Sequence, residues 1–432
     1  MSSTKNIFVF GEDSFNLEQM EALQEIEPYR FHPLFRAEEV KLGGRLPIEQ
    51  LYEEALARLD RFEGSVDAIV GYWDFPVSTM LPLLRAPYAM PSPSLEALLK
   101  CEHKYWSRVE QKRAVPEYVP AFGVIDPFVD DYRDQVSLEY PFWIKPVKSV
   151  ASMLGFRVAS DEQLDEAIAA IRRDIHIMGR PFNDLLKFAH IPDEIAPIDG
   201  KHCVIEEIIS EGDQCTLEGY VYHGEVVVYG VVDSLREGLH HSCFSRYQYP
   251  SKLPQPVKQE MAVACERFFK HIGFDNGPFN VEFFWNPETG AIRLLEVNPR
   301  ISQSHCPLFR DVDGLSHHKV MIDLGLGRKP DFPQGVGTCR LAAKFMWRLH
   351  MEDGLVTHLP NREELEHIKR RFANVDFHFI AHEGQRLSDL KGQDSYSYEI
   401  ANIYIGGNTE PELLDTYEEI KQAVALQVVP VG

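Results

Sequence analysis

Positive charge is scarce in this chain. Lys and Arg number 44 against 66 Asp and Glu, a formal net charge of −22. So acidic a balance argues against nucleic acid or an anionic membrane as partner, since both need a basic face. A nucleotide remains compatible, because a few local lysines and arginines make a positive pocket. Long apolar runs are also missing. No stretch is long enough to span a membrane, and the start, Met1-Ser2-Ser3-Thr4-Lys5, lacks the apolar segment of a signal peptide, so a cytoplasmic protein is expected. No CxxC pair occurs among the seven cysteines (Cys101, Cys203, Cys215, Cys243, Cys265, Cys306, Cys339), which predicts reduced, mostly buried thiols. GxGxxG is absent too, which weakens any dinucleotide reading, and there are no internal repeats or low-complexity tracts.

What is present is an ordinary globular composition, 44% hydrophobic and 25% charged, in 432 residues, too many for one core. Two or three packed units are expected. Strand-like runs at 6–11 and 68–72, with helical patterns at 16–27 and 51–59, predict a small parallel α/β unit. The proline-rich stretch 82–93 reads as a connector and 94–113 as one helix carrying Lys104. A strand at 141–146 ends near Lys145, a helix follows from 161 to about 175, and 179–200 reads as irregular. Further strands are predicted at 203–209, 215–222 and 225–232, the last two turned at His223-Gly224, then a helix at 256–272. Beyond 330 come strands near 340–347 and 398–405 and helices near 362–371 and 410–426, a mixed α+β tail.

The densest chemical signal is Phe279-Asn280-Val281-Glu282-Phe283-Phe284, then Asn286-Pro287-Glu288-Thr289-Gly290, then Leu294-Leu295-Glu296-Val297-Asn298-Pro299-Arg300. Two apolar strands flank a turn sequence, so a hairpin is predicted. With its centre near Thr289, Glu282 faces Glu296. Period-two alternation places Asn280 and Glu282 on one face with Glu296, Asn298 and Arg300, and leaves Val281, Phe283, Leu295 and Val297 for the core. Opposed like charges destabilise a sheet, so a cation belongs between them, and hard oxygen ligands suit Mg²⁺ shared with phosphates. The plain alternative is a solvated face with two incidental acids. Cys306, close to this hairpin, reads as a packing residue rather than a nucleophile.

Two other segments fit a nucleotide. Lys145 emerges from an apolar strand, where lysine is costly without an anion. The loop after it, Lys148-Ser149-Val150-Ala151-Ser152-Met153-Leu154-Gly155, offers amides and hydroxyls suited to phosphate, although a structural Lys-Pro strand end reads equally well. Glu206-Glu207-Ile208-Ile209-Ser210-Glu211-Gly212-Asp213 is a strand that turns and presents a carboxylate. Exposed backbone there can meet an adenine edge and Asp213 ribose hydroxyls, or the acids are merely solvated.

Lys104, Ile144-Lys145-Pro146, the Ser152 loop, Glu206-Glu207 through Asp213, Asn280-Val281-Glu282 and Glu296-Val297-Asn298-Pro299-Arg300 occur in this order. Over residues 95–327 the chain resembles the ATP-grasp superfamily of carboxylate–amine ligases, notably the branch with L-amino-acid ligases and biotin carboxylase. The resemblance implies α/β and α+β architecture: an N-terminal α/β unit (1–93), a first ATP-grasp subdomain with its lid (94–210), a second subdomain with the metal site (211–330) and a C-terminal α+β subdomain (331–432). It implies that Lys104 and Lys145, with Ser152, contact ATP phosphates, and that Glu206 and the backbone near Glu207 and Ile208 meet adenine. Asp213 would hold the ribose. Glu282 and Glu296 would bridge two Mg²⁺ ions, with Asn298 completing one shell and Mn²⁺ able to substitute. Arg300 would stabilise the transferred phosphoryl group or the acyl phosphate.

Two features depart from the family. The Lys148–Gly155 loop is poor in glycine, and Ile301-Ser302-Gln303-Ser304-His305 replaces the Gly-Gly element of the amino-acid ligases. That run looks more like the corresponding loop of carbamoyl phosphate synthetase. His305 is a candidate base for the attacking amine, or an orienting or packing residue. The expectation is an ATP- and Mg²⁺-dependent ligase joining a small carboxylic acid to an amine through an acyl phosphate, releasing ADP and phosphate. A lid at about 115–204 would exclude water, and a homodimer is what the family suggests. ATP-driven carboxylation, a kinase, or a non-catalytic nucleotide-binding regulator on the same fold are the alternatives.

Overall fold

The computed structural model describes residues 4–41, 46–150, 153–237, 243–390, 393 and 397–431. A parallel sheet of β1 (Lys5–Glu12), β2 (Tyr29–Arg36) and β3 (Ala68–Val70), ordered β2-β1-β3, forms the N-terminal unit. Ile7, Val9 and Phe10 are fully buried, as a continuous apolar run in a parallel strand requires. Sequence patterning misses β2, whose polar residues and Pro33 suit a sheet edge. The stretch 82–93 is not all connector: helix Val77–Arg85 holds Pro82 inside it. Buried Met80 and Leu84 on either side of Pro82 supply packing that offsets the missing N–H.

An antiparallel sheet follows, made of β4 (Phe122–Ile125), β5 (Phe142–Pro146), β6 (Phe156–Val158) and β7 (Cys203–Glu207) in the order β4-β7-β5-β6. Helix Asp161–Asp174 buries Leu164, Ala167, Ile168 and Ile171 against it, the stripe that its 3.6-residue period predicts. Helix His176–Leu186 corrects the irregular reading of 179–200. Gly179 and Pro181 obscure it in the sequence, yet Met178, Phe182 and Leu185 share one buried side.

The largest layer is an eight-stranded antiparallel sheet, ordered β12-β11-β8-β9-β10-β13-β16-β15. Its strands are β8 (Asp213–Tyr222), β9 (Glu225–Glu237), β10 (Cys243–Tyr249), β11 (Gly277–Trp285), β12 (Ile292–Asn298) and β13 (Leu341–Leu349). After β14 (Gly354–His358) come β15 (Val375–Phe379) and β16 (Tyr398–Gly407). β14 pairs separately with β17 (Gln427–Pro430). Helix Gln255–Ile272 covers β8 and β11 with Met261, Cys265, Phe268 and Phe269. Because β10 pairs with β13, the sheet runs through the expected boundary at 330, and the tail extends the second subdomain's sheet. All seven cysteines are buried and unpaired, Cys306 among them. Among the described residues no helix is long and apolar enough to cross a membrane.

Candidate active site

A cleft of about 2000 Å³ lies between the four-stranded and eight-stranded sheets, with Tyr72, Trp73 and Asp74, just after β3, on a third side. It is roomier than a typical site for one small molecule. On the large sheet, Glu282 pairs with Glu296 and Asn280 with Asn298, the register predicted from the turn. Asn298 Nδ2 donates to Asn280 Oδ1 at 3.1 Å and to Glu282 Oε1 at 3.4 Å, and Gln214 Nε2 donates to Glu282 at 2.9 Å. One expectation fails. A bulge after Glu282 leaves Leu295 unpaired, so Leu294 fills the core and Leu295 lines the cleft. The bulge changes which leucine is buried without moving the acids apart.

The lysines meet these acids because the expected helix over 94–113 is two helices. Leu95–Glu102 and Lys104–Ala114 break at His103. His103 Nδ1 caps the second helix by accepting from Trp106 N–H at 3.2 Å, and its other ring nitrogen bonds the Ile198 carbonyl at 2.7 Å. The break sets Lys104 at a helix start, where its N–H bonds the Val147 carbonyl at 3.0 Å and its ammonium pairs with Glu296. One turn on, buried Arg108 donates to Glu206 at 2.7 Å and to the Leu294 and Leu295 carbonyls at 2.8 Å each. Arg108 therefore ties β7 to β12 beside the acids. Lys145 pairs with Glu206 at 2.7 Å, and Lys148 pairs with buried Glu102.

These pairings order the protonation of the site. Burial would raise the Glu296 carboxyl, but Lys104 and Lys145 outweigh it and bring it to about 2. Glu282 moves the other way, raised by burial and by Glu296 opposite, with Arg300 and Arg236 as partial counterweights. Burial lowers the Lys145 ammonium, and Glu206 partly restores it. Two carboxylates and an amide oxygen form a hard-oxygen set that suits Mg²⁺. Among the described residues no group of three or more His, Cys, Asp or Glu could hold a metal alone, so these donors would need phosphate oxygens or water to complete a shell.

Both carboxylate oxygens of Glu206 are engaged, by Arg108 and Lys145. Glu207, Ile208 and Asp213 line the cleft. Gly212 makes the turn to Asp213 with φ +94°, and a Cβ there would lie 2.2 Å from the Trp285 carbonyl oxygen. Ser152 lies outside the described residues. Glu206 also gives a pH prediction. Burial pushes its carboxyl up, but Arg108 and Lys145 win and hold it well below the ordinary value of 4.5. The stabilisation is complete above 4.5 and is lost as pH falls towards the folded value. Glu206→Gln should cost about 3 kcal/mol at neutral pH by leaving two buried cations uncompensated. Its urea midpoint should then fall less than wild type's as pH drops below 4.5. Parallel acid dependences in the two proteins would refute this.

Arg300 faces the acids but is held by Asp74 through two hydrogen bonds, Nε at 2.7 Å and Nη2 at 3.1 Å. No local pattern marks Asp74, which lies 226 residues from Arg300 in the chain. Glu218 was also missed. It lies fully buried on β8 and accepts from Asn280 Nδ2 at 2.6 Å, His305 Nδ1 at 2.9 Å and the Ser302 N–H at 3.3 Å. His317 Nε2 donates to the Ser302 carbonyl at 2.9 Å. Glu218 thereby ties Asn280 and the 301–305 loop together. Burial pushes His305 well below the ordinary histidine value, with Lys344 and Arg300 adding to the effect. It edges onto Tyr247 and lines the cleft. The available clue was a carboxylate amid Cys215, Leu217, Tyr220 and Val221, but alternation sets it on one face with Gln214 and Thr216, which hides it.

Residues 138–307 match the ATP-grasp domain family model. The carbamoyl phosphate synthase large chain, C-terminal section, of Methanopyrus kandleri is 24% identical over 140 residues, 32% of this chain and 26% of that protein. The chain thus matches about a quarter of that relative's length. The crystal structure of L-amino acid ligase from Bacillus licheniformis has a TM-score of 0.71 at 16% identity over 99% of both chains. The biotin carboxylase domain dimer of Hydrogenobacter thermophilus 2-oxoglutarate carboxylase, solved with MgADP, ADP and bicarbonate, has a TM-score of 0.65 at 14% identity over 99% of this chain and 91% of that one. The chain therefore has the ATP-grasp fold, and its residues 138–307 match that domain's family model.

Proposed function

We propose that this protein is an ATP- and Mg²⁺-dependent ligase that joins a small carboxylic acid to an amine, with amino acids as substrates. One observation carries the reading: Glu282, Glu296 and Asn298 on one wall of the cleft stand with Lys104 and Lys145 from the opposite elements. An isolated lysine or acid pair would be structural, but this combination suits a triphosphate and its cation. The buried free thiols suit a reducing, cytoplasmic setting.

A carboxylate does not react with an amine at neutral pH, because oxide is a poor leaving group. In the proposed reaction a carboxylate oxygen attacks the γ-phosphorus and ADP leaves, giving an acyl phosphate. The amine then attacks the acyl carbon, phosphate leaves, and a proton is released. Glu282, Glu296 and Asn298 would hold one or two Mg²⁺ ions, which when bound neutralise the phosphates and orient the transfer. Lys104 exchanges Glu296 for phosphate oxygens, and Lys145, steadied by Glu206, faces the same anion. Arg300, fixed by Asp74, meets the charge on the transferred group. The four-stranded sheet closes over the cleft and excludes water from the acyl phosphate. His305 acts by position. A histidine so depressed by burial is a weak proton acceptor, while its bond to Glu218 sets the 301–305 loop.

The test is a phosphate-release screen of amino acids, singly and in pairs, with the nucleotide product identified by chromatography. ADP should appear with the cognate pair. AMP in its place would exclude acyl-phosphate chemistry in favour of adenylation. The bicarbonate in the Hydrogenobacter neighbour favours one second reading, in which bicarbonate is the activated carboxylate. Bicarbonate-dependent ADP release without any amino acid would select it.

A further inference from the structure

A smaller chamber of about 190 Å³ adjoins the cleft, between the loop after β1 and the outer strands of the large sheet. Trp73 and Gln303 line both spaces. Lys344 on β13 lines the chamber and is 8% exposed. Among the described residues its ammonium has no ion pair or hydrogen bond, and it lies 5.4 Å from the Tyr247 ring centroid. Asn402 on β16 and Asn16 in helix Ser14–Glu21 also line the chamber, 4% and 2% exposed. Each keeps a buried Oδ1 with no hydrogen-bond partner among the described residues. Asp13 accepts from Asn16 Nδ2 at 2.9 Å, which fixes that amide and leaves Oδ1 over. Phe15 stacks on His378 and Tyr404 at 4.9 and 5.4 Å and makes an apolar wall.

Each unpaired group is costly in a protein interior, and native structures seldom leave such groups orphaned. A buried ammonium and two buried carbonyl oxygens around one cavity are complementary to a ligand that carries both an anion and N–H donors. Burial pulls the Lys344 ammonium below its ordinary value, and Glu399, already paired with Arg348, restores it only in part.

We propose that the chamber anchors a small amino acid, its carboxylate on Lys344 and its ammonium on Oδ1 of Asn402 and Asn16. This rests on the ligase reading and assigns a place to one of its substrates. With both α groups held, the reacting group extends past Trp73 and Gln303 into the cleft. That selects amino acids with a second carboxylate or amine on the side chain.

The test is calorimetry on the full chain with L-aspartate, L-glutamate, L-lysine and L-ornithine, each with and without MgADP. At least one should bind, and Lys344→Met and Asn402→Leu should each weaken it about tenfold or more while leaving ADP affinity unchanged. Lys344→Met should melt no lower than wild type, since it removes an unpaired buried charge; this separates lost binding from lost folding. Failure of all four to bind, or binding within twofold of wild type in both variants, would overturn the proposal. ADP release from amino-acid pairs with an unchanged KM in both variants would sink the chamber and leave the ligase reading standing. Binding lost in both variants, with no ADP release from any pair, would sink the ligase reading and leave the chamber.

Discussion

Glu296→Ala should lower kcat by about 10²- to 10³-fold, the range found when one preorganised charge-stabilising group is removed from a site. Glu296 has two jobs in this geometry. It supplies one of the two hairpin carboxylates, and it holds Lys104 at the cleft. Alanine removes both, so the Lys104 ammonium loses its partner while a hard-oxygen donor disappears. Glu296→Gln keeps the volume and one oxygen and should recover part of the loss. Circular dichroism and thermal melting check that both variants fold. If both turn over within a few-fold of wild type, the hairpin is not where the phosphoryl group is handled.

Arg300 gives the second large effect. Arg300→Met should reduce kcat about 100-fold with little change in KM for ATP, because in the proposed reaction its charge meets the negative charge that gathers during transfer. Arg300→Lys should recover little. Asp74 grips the guanidinium through both carboxylate oxygens, and an ammonium is a point charge without that fork. Single-turnover kinetics with a cognate pair would measure it. A large rise in KM for ATP at unchanged kcat would place Arg300 in nucleotide binding and refute the assignment.

The parts of the site that were readable share one property: each depends on neighbours within a few residues. The hairpin register follows from its turn, so Glu282 opposite Glu296 could be derived, and Lys145 at the end of β5 follows from an apolar run of strand length. Leu295 was misplaced because a bulge is one extra residue, which strict alternation cannot anticipate. The sequence predicts one unbroken helix over 94–113 because His103 has no helix-breaking chemistry of its own. Its bond to the Ile198 carbonyl, 95 residues away, stabilises the break.

By itself, the sequence determined the local elements and the kind of chemistry: apolar periodicities mark strands and helices, and a carboxylate or lysine on an apolar strand is costly enough to signal a partner. Only the tertiary structure decided who those partners are. Lys104 with Glu296, Arg108 with Glu206, Arg300 with Asp74 and Glu218 with His305 join segments 87 to 226 residues apart. Chain order leaves such pairings open, because any of several acids could satisfy each cation. The packing of three sheets around one cleft makes the choice, since it alone sets which charges lose their water together.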